Sequence, residues 1–581
     1  MPDQKNLILA IVLSVAILGA FQFFYEAPRL EREAAQRQAA QQQAESQVPA
    51  APGGVQAPSA GAPVTVPGAT ATPTGTGLSR ADVLAQSPRV QIESERLSGS
   101  IALTGGRIDD LTLNGYKITV EPDSPDVTLL SPVGSANPYY AEFGWIPVVG
   151  TSAKLPGASA VWQADNTVLS PDRPVTLTWD NGEGLRFSRT YALDENYMFT
   201  VVQRVENTGA DAVALYPYGL VSRHNTPDTL GFFILHEGPL GVFDETLEEI
   251  DYSDLQDETP AKLQRSSTGG WIGITDKYWL MALIPDQQTP MTASFNHQFA
   301  GTDKYQIDYF RNPIQIPAGG SAEVTDRLFA GAKEVSLINA YQEDLGIVNF
   351  DLSIDWGWFP FLTKPLFIAL DYFYHLLGNF GLSIIVVTVI IKFLFLPLAY
   401  KSYVSMSQMK KLQPEMVKLR ERFGDDRQKL NQEMMELYKR QKVNPVSGCL
   451  PMLLQIPVFF ALYKVLFVTI EMRHQPFYGW IKDLSAPDPT SLFNLFGLIP
   501  LTLPDFMLIG IWPILMGVTM FLQQKLNPQP ADPVQAKIFL FMPLLFTVLL
   551  ARFPAGLVIY WTVNNVLTIG QQWLIMKRTG T

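Results

Sequence analysis

The sequence predicts a polytopic α-helical membrane protein that carries one large antiparallel β domain outside the membrane. The first observation is composition: of 581 residues, 47% are apolar and only 17% are charged. The second is a set of uncharged apolar runs, each about as long as a bilayer is thick. The third is charge: residues 25–355 carry 42 acidic and 21 basic side chains, whereas residues 399–445 carry 6 acidic and 11 basic. Positive charge concentrated in one short segment is typical of loops on the cytoplasmic side of a membrane.

An N-terminal anchor is predicted at residues 1–25, because positions 7–25 form an uncharged apolar run. As a helix this run is roughly 28 Å long, close to a hydrocarbon core of about 30 Å. A cleaved signal peptide is the competing interpretation, but its apolar region is usually shorter and ends at small residues. Here the run ends in bulky aromatic residues, which favours an uncleaved span.

A linker and a β domain follow the anchor. Residues 26–80 are rich in Gln, Ala, Pro, Gly and Thr and predict a disordered linker, since they cannot bury enough apolar surface to fold. Residues 81–345 alternate between apolar and polar positions, with breaks at Gly105-Gly106 and Asp180-Asn181-Gly182. These are hairpin signals, so we predict a large antiparallel β domain that ends in a helix over residues 334–345.

Five further spans are predicted in the C-terminal third, which with the anchor makes six transmembrane helices. They cover residues 376–400, 449–470, 506–525, 536–552 and 555–576. Placing Lys5 in the cytoplasm orients both termini inward and the acidic β domain outward, in agreement with the positive-inside rule. Residues 346–378 precede the spans; their aromatic-rich part, 358–377, predicts an amphipathic helix that lies on the outer membrane surface.

Lys392 is the charged residue that the predicted spans accommodate least easily. It lies on the order of 9 Å from the cytoplasmic end of its span, where a lysine costs somewhat less than the roughly 2.5 to 3.5 kcal/mol of the bilayer centre. One interpretation is that its amine snorkels to the interface, as we predict for Lys464 near the outer end of another span. However, Thr388 lies one turn earlier on the same face, and no acidic residue occurs within any predicted span. We therefore predict a hydrated cavity around Lys392 that faces the cytoplasmic leaflet.

A polar stripe on the last predicted span points to the same cavity. Trp561, Asn565 and Thr568 follow one another at spacings of four and three, with Asn564 beside them, so they share one side of a helix. Such residues can simply join helices, at roughly 0.6 kcal/mol per contact. The unpaired cation favours the alternative, in which they line the cavity together with Gln455 of another span.

A basic helical hairpin is predicted at residues 401–445. Apolar residues recur at spacings of three and four on both sides of Phe423-Gly424-Asp425-Asp426, which indicates two short antiparallel helices with a heptad-like seam. Methionine-rich faces repack easily against varied partners, and the charge suits RNA, anionic lipid or a nascent polypeptide. The residues predicted to contact such a partner are Met409, Lys410, Lys411, Met416, Arg420, Arg422 and Met434.

Several function classes are disfavoured by the residues that are missing from the sequence. The single cysteine, Cys449, excludes a disulfide scaffold and any multi-cysteine metal site, and the five histidines are not spaced as helical metal ligands. The sequence contains no G-x-x-x-x-G-K-[ST] loop for nucleotide phosphates. We therefore predict no metal and no cofactor, and any energy source for the protein's activity must lie elsewhere.

The C-terminal third resembles the YidC/Oxa/Alb family of membrane protein insertases. The resemblance is carried by the span around Lys392, by the hairpin run LQPEMVKLRERFGDDRQKL with the following CLPMLLQIPVFFALY, and by the segments PILMGVTMFLQQK and FPAGLVIYWTVNN. An N-terminal anchor followed by a large outer β domain is similar to the Gram-negative YidC type. The resemblance therefore extends over the full chain.

This resemblance implies an insertase core of five transmembrane helices, within residues 379–578, around a hydrophilic groove that is open to cytoplasm and lipid. It implies that Lys392 stands where relatives usually carry arginine, which keeps the charge but loses the planar guanidinium fork. Thr388 and Trp561 would take groove positions that contact substrate. It also implies a periplasmic β domain of the supersandwich type and a multi-pass protein of the bacterial inner membrane.

The partners implied by the resemblance are nascent membrane proteins, the phospholipid bilayer, the Sec translocon (SecYEG and SecDF) and the ribosome, with no specific nucleic-acid sequence. The implied function is insertion and folding of membrane proteins, alone or with the translocon. The chain departs from relatives in two ways: its last residues, 577–581, form no long basic tail of the kind that some relatives use on ribosomes, and residues 492–505 look like an insertion.

Two alternatives stay open on the residues alone. A transporter or channel would use the intramembrane lysine to bind anions, although the spans show no internal repeat. A sugar-processing enzyme in the β domain would need positioned acids and bases, for which His224 and His236 are weak candidates.

Overall fold

The structure is a computed structural model that describes residues 66–67, 78–230, 235–257, 262–423, 426–441, 443, 450–497, 499, 508–527 and 533–578. The predicted anchor and most of the predicted linker lie outside the described residues. Cys449 and, in the predicted insertion, residues 498 and 500–505 also lie outside them.

The β domain contains twenty strands in the described part of the chain. They are β1 (Arg89–Glu93), β2 (Leu97–Ala102), β3 (Arg107–Lys117), β4 (Asp126–Leu130), β5 (Tyr139–Pro147), β6 (Gln163–Ala164), β7 (Val168–Leu169), β8 (Val175–Asp180), β9 (Leu185–Leu193), β10 (Met198–Asn207), β11 (Val213–His224), β12 (Gly238–Phe243), β13 (Thr246–Glu249), β14 (Lys262–Thr268), β15 (Trp271–Thr275), β16 (Trp279–Ile284), β17 (Pro290–Phe299), β18 (Asp303–Arg311), β19 (Ile314–Ile316) and β20 (Ser321–Ala332).

These strands form two sheets that pack face to face. The eleven-stranded sheet has the order β14-β17-β18-β11-β5-β3-β2-β1-β7, with β19 paired to β11 and β4 paired to β3. The nine-stranded sheet has the order β13-β12-β15-β16-β20-β10-β9-β8-β6. Neighbouring strands are antiparallel, apart from the parallel pair β1 and β7. The predicted large antiparallel β-sandwich is therefore confirmed.

The sandwich core is built by alternate residues, as the period of two requires. In β11, the odd-numbered residues Val213, Leu215 and Val221 join the core between the sheets. The even-numbered Tyr218 and Leu220 belong to a separate cluster on the other side of the strand. This strand therefore presents a second face with packing contacts of its own.

The predicted hairpin signals coincide with turns between strands. Gly105 and Gly106 lie between β2 and β3 with φ of 82° and 64°, a left-handed conformation that glycine adopts without steric cost. Gly182 lies between β8 and β9 with φ of 74°, and its amide donates a 2.7 Å hydrogen bond to Asp180 Oδ1. Both turns match the sequence prediction.

The helices occupy two regions. In the β domain they are α1 (Arg80–Leu84), α2 (Tyr252–Asp257) and α3 (Val335–Asp344), and the last confirms the helix predicted at its end. The C-terminal region contains α4 (Pro360–Leu377), α5 (Phe380–Leu394), α6 (Leu396–Phe423), α7 (Arg427–Arg440), α8 (Leu450–Val468), α9 (Ile511–Leu526), α10 (Pro533–Leu550) and α11 (Ala555–Arg578). Short 3₁₀ segments lie at Phe350–Ser353, Ile470–Met472 and Leu492–Gly497.

The first predicted core span, residues 376–400, is not one continuous helix. Helix α4 ends where Gly378 takes a φ of 68°, and α5 begins after Asn379, whose side chain accepts a hydrogen bond from the Leu382 amide. Helices α5 and α6 then meet at an angle of 66°. Pro397 explains the break, because it has no amide hydrogen to continue the α5 ladder and its ring collides with the preceding turn.

Among the described residues, no single helix is both long and apolar enough to cross a bilayer. The bent pair α5 and α6 meets that condition as a unit, and the apolar segments 455–468 and 536–550 are shorter. The count of six spans accordingly stays a prediction.

The hairpin differs from the two short helices that the sequence predicts. Its first helix, α6, is 28 residues long because it continues directly from the break after α5. Leu412, Leu437 and Val443 form a buried cluster between α6 and α7. Leu412 in the first helix contacts Leu437 and Val443 near the end of the second, so the two helices run antiparallel.

Helix α4 has the two faces that the sequence predicts. One face packs inward through Leu366, Phe367 and Leu370. The other leaves large apolar side chains accessible, with Phe361 75% exposed and Leu376 67% exposed. Exposed apolar faces of this kind mark contacts with other proteins or with a membrane.

The β domain joins the C-terminal helices through an ion pair that the sequence analysis missed. Lys464 Nζ on α8 lies 2.6 Å from Asp355 Oδ2, and the Lys464 side chain is only 9% exposed. Asp355 also accepts hydrogen bonds from the backbone amides of Gly357 and His236. The predicted outward snorkelling of Lys464 is therefore wrong, because a carboxylate from the segment before α4 reaches its amine.

A second contact at this junction uses Glu471, just beyond the end of α8. Glu471 Oε1 accepts a 2.7 Å hydrogen bond from the backbone amide of Val335, the first residue of α3. Burial of the carboxyl raises the pKa of Glu471 to about 7, because the charged form loses its hydration. Ionisation of this group opposes the packed junction.

We predict that Glu471→Gln stabilises the protein at alkaline pH. A carboxyl whose pKa is raised on folding causes no loss of stability below its ordinary pKa near 4.5. The free energy of unfolding falls as the pH rises from about 4.5 to 7, and it has reached its lower value above pH 7. The amide keeps an acceptor for Val335 but cannot ionise, so the variant should gain about 3 kcal/mol at pH 8.

Thermal unfolding of both proteins in detergent at several pH values tests this prediction. The unfolding midpoint of the variant should exceed that of the original chain at pH 8, and the difference should shrink steadily as the pH falls towards 4.5. A constant difference across this range would contradict the assigned pKa shift.

Candidate functional site

The candidate site is a polar cluster among helices α5, α8, α9 and α11. Helix α11 is central, since it packs against each of the other three. Its polar stripe is turned into the helix bundle: Asn565 is 2% exposed, Thr568 4% and Gln572 1%. Buried polar groups of this kind require partners, and the stripe finds them on the neighbouring helices.

Lys392 on α5 is joined to this stripe. Its Nζ donates a 2.7 Å hydrogen bond to Thr568 Oγ1, and the Thr568 hydroxyl donates in turn to the backbone carbonyl of Asn564 at 2.7 Å. Within the described residues no carboxylate forms an ion pair with Lys392. A half-buried ammonium held by a neutral hydroxyl keeps most of its positive charge uncompensated, and it suits a visiting anionic or polar group.

Two further hydrogen bonds connect the stripe to α8 and α9. Gln455 Nε2 on α8 donates to Asn564 Oδ1. Asn565 Nδ2 donates to Thr519 Oγ1 on α9 at 3.2 Å. Gln455 and Asn565 therefore join neighbouring helices, as the alternative interpretation of the polar stripe expects. Lys392 is the charged residue of the cluster.

The other two predicted site residues, Thr388 and Trp561, have different surroundings. Thr388 is 2% exposed, and its hydroxyl donates to the Ile384 carbonyl of its own helix at 2.6 Å. Trp561 is half-buried and meets the Phe459 ring edge-on, with ring centroids 4.6 Å apart. Trp561 therefore marks an aromatic border of the polar cluster.

Two family models match the chain over nearly all of the described region. The model described as the YidC periplasmic domain matches residues 89–369, and the model described as the 60Kd inner membrane protein matches residues 372–581. The membrane protein insertase YidC of Methylobacterium radiotolerans is 54% identical over 592 residues, which cover 100% of this chain and 95% of that protein. This chain belongs to the YidC family of membrane protein insertases. The membrane protein insertase YidC of Bradyrhizobium diazoefficiens is 51% identical and covers 100% of this chain and 97% of the relative.

A solved structure of the YidC family is also similar to this chain. It is described as the crystal structure of an active YidC insertase with the first transmembrane domain resolved. It is 18% identical, covers 84% of this chain and 92% of that chain, and gives a TM-score of 0.35.

Family membership confirms the resemblance on which the sequence prediction rested. The YidC relatives are membrane protein insertases, a function that is not enzymatic. They belong to the inner membrane and have a periplasmic domain, as the two matching models describe. The predicted function is therefore confirmed at the level of the family.

In this YidC-family chain the predicted hairpin residues divide into two groups. Met409 and Met416 pack on the buried cluster between α6 and α7, where the Tyr438 hydroxyl lies 3.8 Å from Met416 Sδ. The basic residues lie at the surface or near it: Lys411, Arg420 and Arg422 are exposed, and Lys410 is half-buried, as is the uncharged Met434. The methionine seam therefore holds the hairpin together, and the basic side chains form its outer surface.

Sequence reasoning missed three residues at or near the polar cluster of this YidC-family chain. Thr519 accepts from Asn565, and Asn527 Oδ1 accepts from Gln572 Nε2 at 3.1 Å. Tyr403 on α6 is 7% exposed beside Ala399 and Ile575. Thr519 is a polar residue within a predicted span, so the criterion that selected Lys392 would have found it.

Proposed function

We propose that this protein inserts and folds integral membrane proteins through a hydrophilic groove formed by α5, α8, α9 and α11. The observation that carries the proposal is Lys392, a cation in an apolar helix whose hydrogen-bond partner is the neutral Thr568 hydroxyl. Membership of an insertase family supports the same function. The groove opens to the cytoplasm and to lipid, and it is the path by which a polar segment of the client crosses.

Lys392 attracts the acidic or polar segment of the client into the groove. The buried amides and hydroxyls of α11 then replace part of the water that this segment loses, which lowers the cost of desolvation. The apolar segment of the client leaves sideways into lipid, at a gain of roughly 0.8 kcal/mol per buried methylene. This partition provides the driving force, and no nucleotide is consumed.

The hairpin of α6 and α7 receives the emerging client and contacts the ribosome. Its exposed arginines and lysines suit an acidic or phosphate-bearing surface. We place the hairpin and both termini in the cytoplasm, and the β domain in the periplasm, in accordance with the positive-inside rule. The exposed apolar face of α4 lies in the outer leaflet, and the Sec translocon is the partner for clients that require it.

A photo-crosslinker at Trp561 tests the groove. Ribosome-bound nascent chains of a small membrane protein should crosslink to this position, because Trp561 borders the polar cluster. The matched control is Trp573 on the same helix, which is 56% exposed and lies on the outer side of α11. Crosslinks at position 573 that equal or exceed those at position 561 would contradict a groove at this face.

A further inference from the structure

The turn between β3 and β4 carries two exposed apolar side chains at the end of the β domain that faces the helices. We define the β3–β4 turn as residues 118–125. Ile118, directly after the last residue of β3, is 54% exposed, and Val120 is 37% exposed. Single exposed apolar residues are common on protein surfaces, so these two are significant only together with their surroundings.

The β3–β4 turn has a fixed backbone. The Ile118 amide donates a 3.0 Å hydrogen bond to the Pro125 carbonyl, and the Ser124 amide donates one of 3.0 Å to the Glu121 carbonyl. The Thr119 amide donates to Ser124 Oγ at 2.9 Å. These bonds close the turn on itself, so its apolar side chains are presented by an ordered backbone.

The β3–β4 turn rests on the loop after α8, residues 473–484. Arg473 Nη2 donates hydrogen bonds to the backbone carbonyls of Lys117 at 2.5 Å and Ile118 at 3.2 Å. Lys482 Nζ lies 3.7 Å from Glu121 Oε1 in an exposed ion pair. The turn is therefore held against a segment that directly follows an apolar helix.

The loop after α8 exposes two aromatic rings beside the first turns of α5 and α9. Tyr478 is 62% exposed and Trp480 is 40% exposed. The nearby Pro476 carbonyl accepts a 3.2 Å hydrogen bond from Asn379 Nδ2, the residue that caps α5. Trp480 Nε1 donates to Asp488, which in turn binds the first turn of α9. Tyrosine and tryptophan at the ends of apolar helices are typical of the interface between membrane and water.

These hydrogen bonds connect three segments with exposed apolar side chains. Asn379 follows the end of α4, where Leu376 is 67% exposed and Leu377 is 39% exposed. The second segment is the loop after α8, and the third is the β3–β4 turn. Neighbouring exposed apolar segments of this kind mark an interaction surface. We propose that the β3–β4 turn enters the outer interface of the bilayer and that Ile118 and Val120 contact lipid there.

The charges around the β3–β4 turn indicate what holds it at the bilayer. Residues 117–126 and the two basic residues that contact them have three basic and three acidic side chains: Lys117, Arg473, Lys482, Glu121, Asp123 and Asp126. A balanced set gives little attraction to anionic headgroups, which bind surfaces with an excess of Lys and Arg. The contact therefore depends on apolar burial and on the aromatic rings, and it should not require anionic lipid.

This contact goes beyond the proposed groove, although it uses the proposed placement of α4 in the outer leaflet. It gives the β domain a second support at the membrane, in addition to the ion pair of Lys464 with Asp355. The support comes from the bilayer itself, so it should be present in vesicles and absent in detergent solution.

Fluorescence quenching by lipid tests the contact. The sequence contains one cysteine, so Cys449→Ser leaves a background in which Ile118→Cys or Val120→Cys can carry the environment-sensitive fluorophore NBD. The full-length labelled chain is reconstituted into phosphatidylcholine vesicles with and without a lipid that carries a nitroxide near its headgroup. Both labels should lose emission in the nitroxide vesicles, and a nitroxide at the end of the acyl chain should quench them less.

The matched control is Val149→Cys, an exposed position at the opposite end of the same sheet. Val149 is 79% exposed, and it follows β5, which runs antiparallel to β3 through the pair Ile108 and Ala141. Its label should keep its emission in the nitroxide vesicles. Quenching at positions 118 and 120 that is no greater than at position 149 would overturn the proposed contact.

Two further measurements separate the contact from its alternatives. A label at Leu376→Cys reports the placement of α4: quenching there without quenching at position 118 would overturn the contact of the turn alone. Quenching at position 118 without quenching at position 376 would support the turn and contradict the placement of α4. Addition of phosphatidylglycerol should leave the quenching at position 118 unchanged, and quenching that occurs only with this anionic lipid would overturn an apolar contact.

Discussion

Lys392→Ala is expected to slow membrane protein insertion by about tenfold or more. The substitution removes the cation of the polar cluster and the 2.7 Å hydrogen bond to Thr568. Hydrogen bonds to charged groups contribute about 1.5 to 3 kcal/mol, and about 1.4 kcal/mol corresponds to a factor of ten. The initial rate of insertion of a small client into proteoliposomes, followed by protease protection, measures the effect.

Three further variants separate the charge from other properties of Lys392. Lys392→Arg should retain most of the activity because it keeps the positive charge, although its guanidinium has a different shape. Lys392→Met should lose activity as the alanine variant does, since it keeps the length but not the charge. Lys525→Ala, at an exposed position near the end of α9, should have little effect. Equal rates for the alanine, methionine and arginine variants would remove the charge from the mechanism.

Asp355→Ala is expected to cause the largest loss of stability at the junction between the β domain and the helices, about 3 kcal/mol. The substitution takes a carboxylate from the buried Lys464 ammonium, 2.6 Å away. Removal of one partner from a buried ion pair is costly, because the remaining charge stays in a poorly solvated place. The midpoint of thermal unfolding in detergent, followed by tryptophan fluorescence, should fall clearly.

The double variant Asp355→Ala, Lys464→Met provides the decisive comparison. It should be more stable than Asp355→Ala alone, because the Lys464 ammonium is then no longer left buried without its carboxylate. Glu415→Ala is the matched control, since Glu415 lies 3.8 Å from Arg440 in an exposed pair, and its loss should change the stability by no more than about 0.5 kcal/mol. A double variant no more stable than the single one would show that the pair is not coupled.

Features that depend on local pattern were predictable from the sequence. The alternation of β9, the glycine turns at Gly105 and Gly182, and helix α3 follow from residues that are adjacent or nearly so in the chain. The polar stripe of α11 is also local, because its spacing places Asn565 and Thr568 on one side of any helix. These predictions match the structure because secondary structure and burial agree along each segment.

Contacts between residues that are distant in the chain were not predictable in the same way. From the sequence, Lys464 lies in an apolar helix, and its amine is predicted to reach outward because it is near the outer end of the predicted span. Its partner is the carboxylate of Asp355, which lies more than a hundred residues earlier and before α4. Likewise, the linker composition of residues 26–80 gives no indication that Val66 packs on Tyr140 and Leu220.

The sequence motifs were enough to indicate the family, and the alternation of apolar and polar residues was enough to predict the β domain. The apolar runs gave the order of the helices and showed that Lys392 has no acidic residue near it on them. All of these properties depend on residues that are close together in the chain. Only the folded chain shows which groups meet: Lys392 with Thr568, Lys464 with Asp355, and Val66 of the linker with Tyr140 and Leu220. The physical reason is that burial energies depend on the partner as much as on the residue, and the fold alone chooses partners that are distant in the chain.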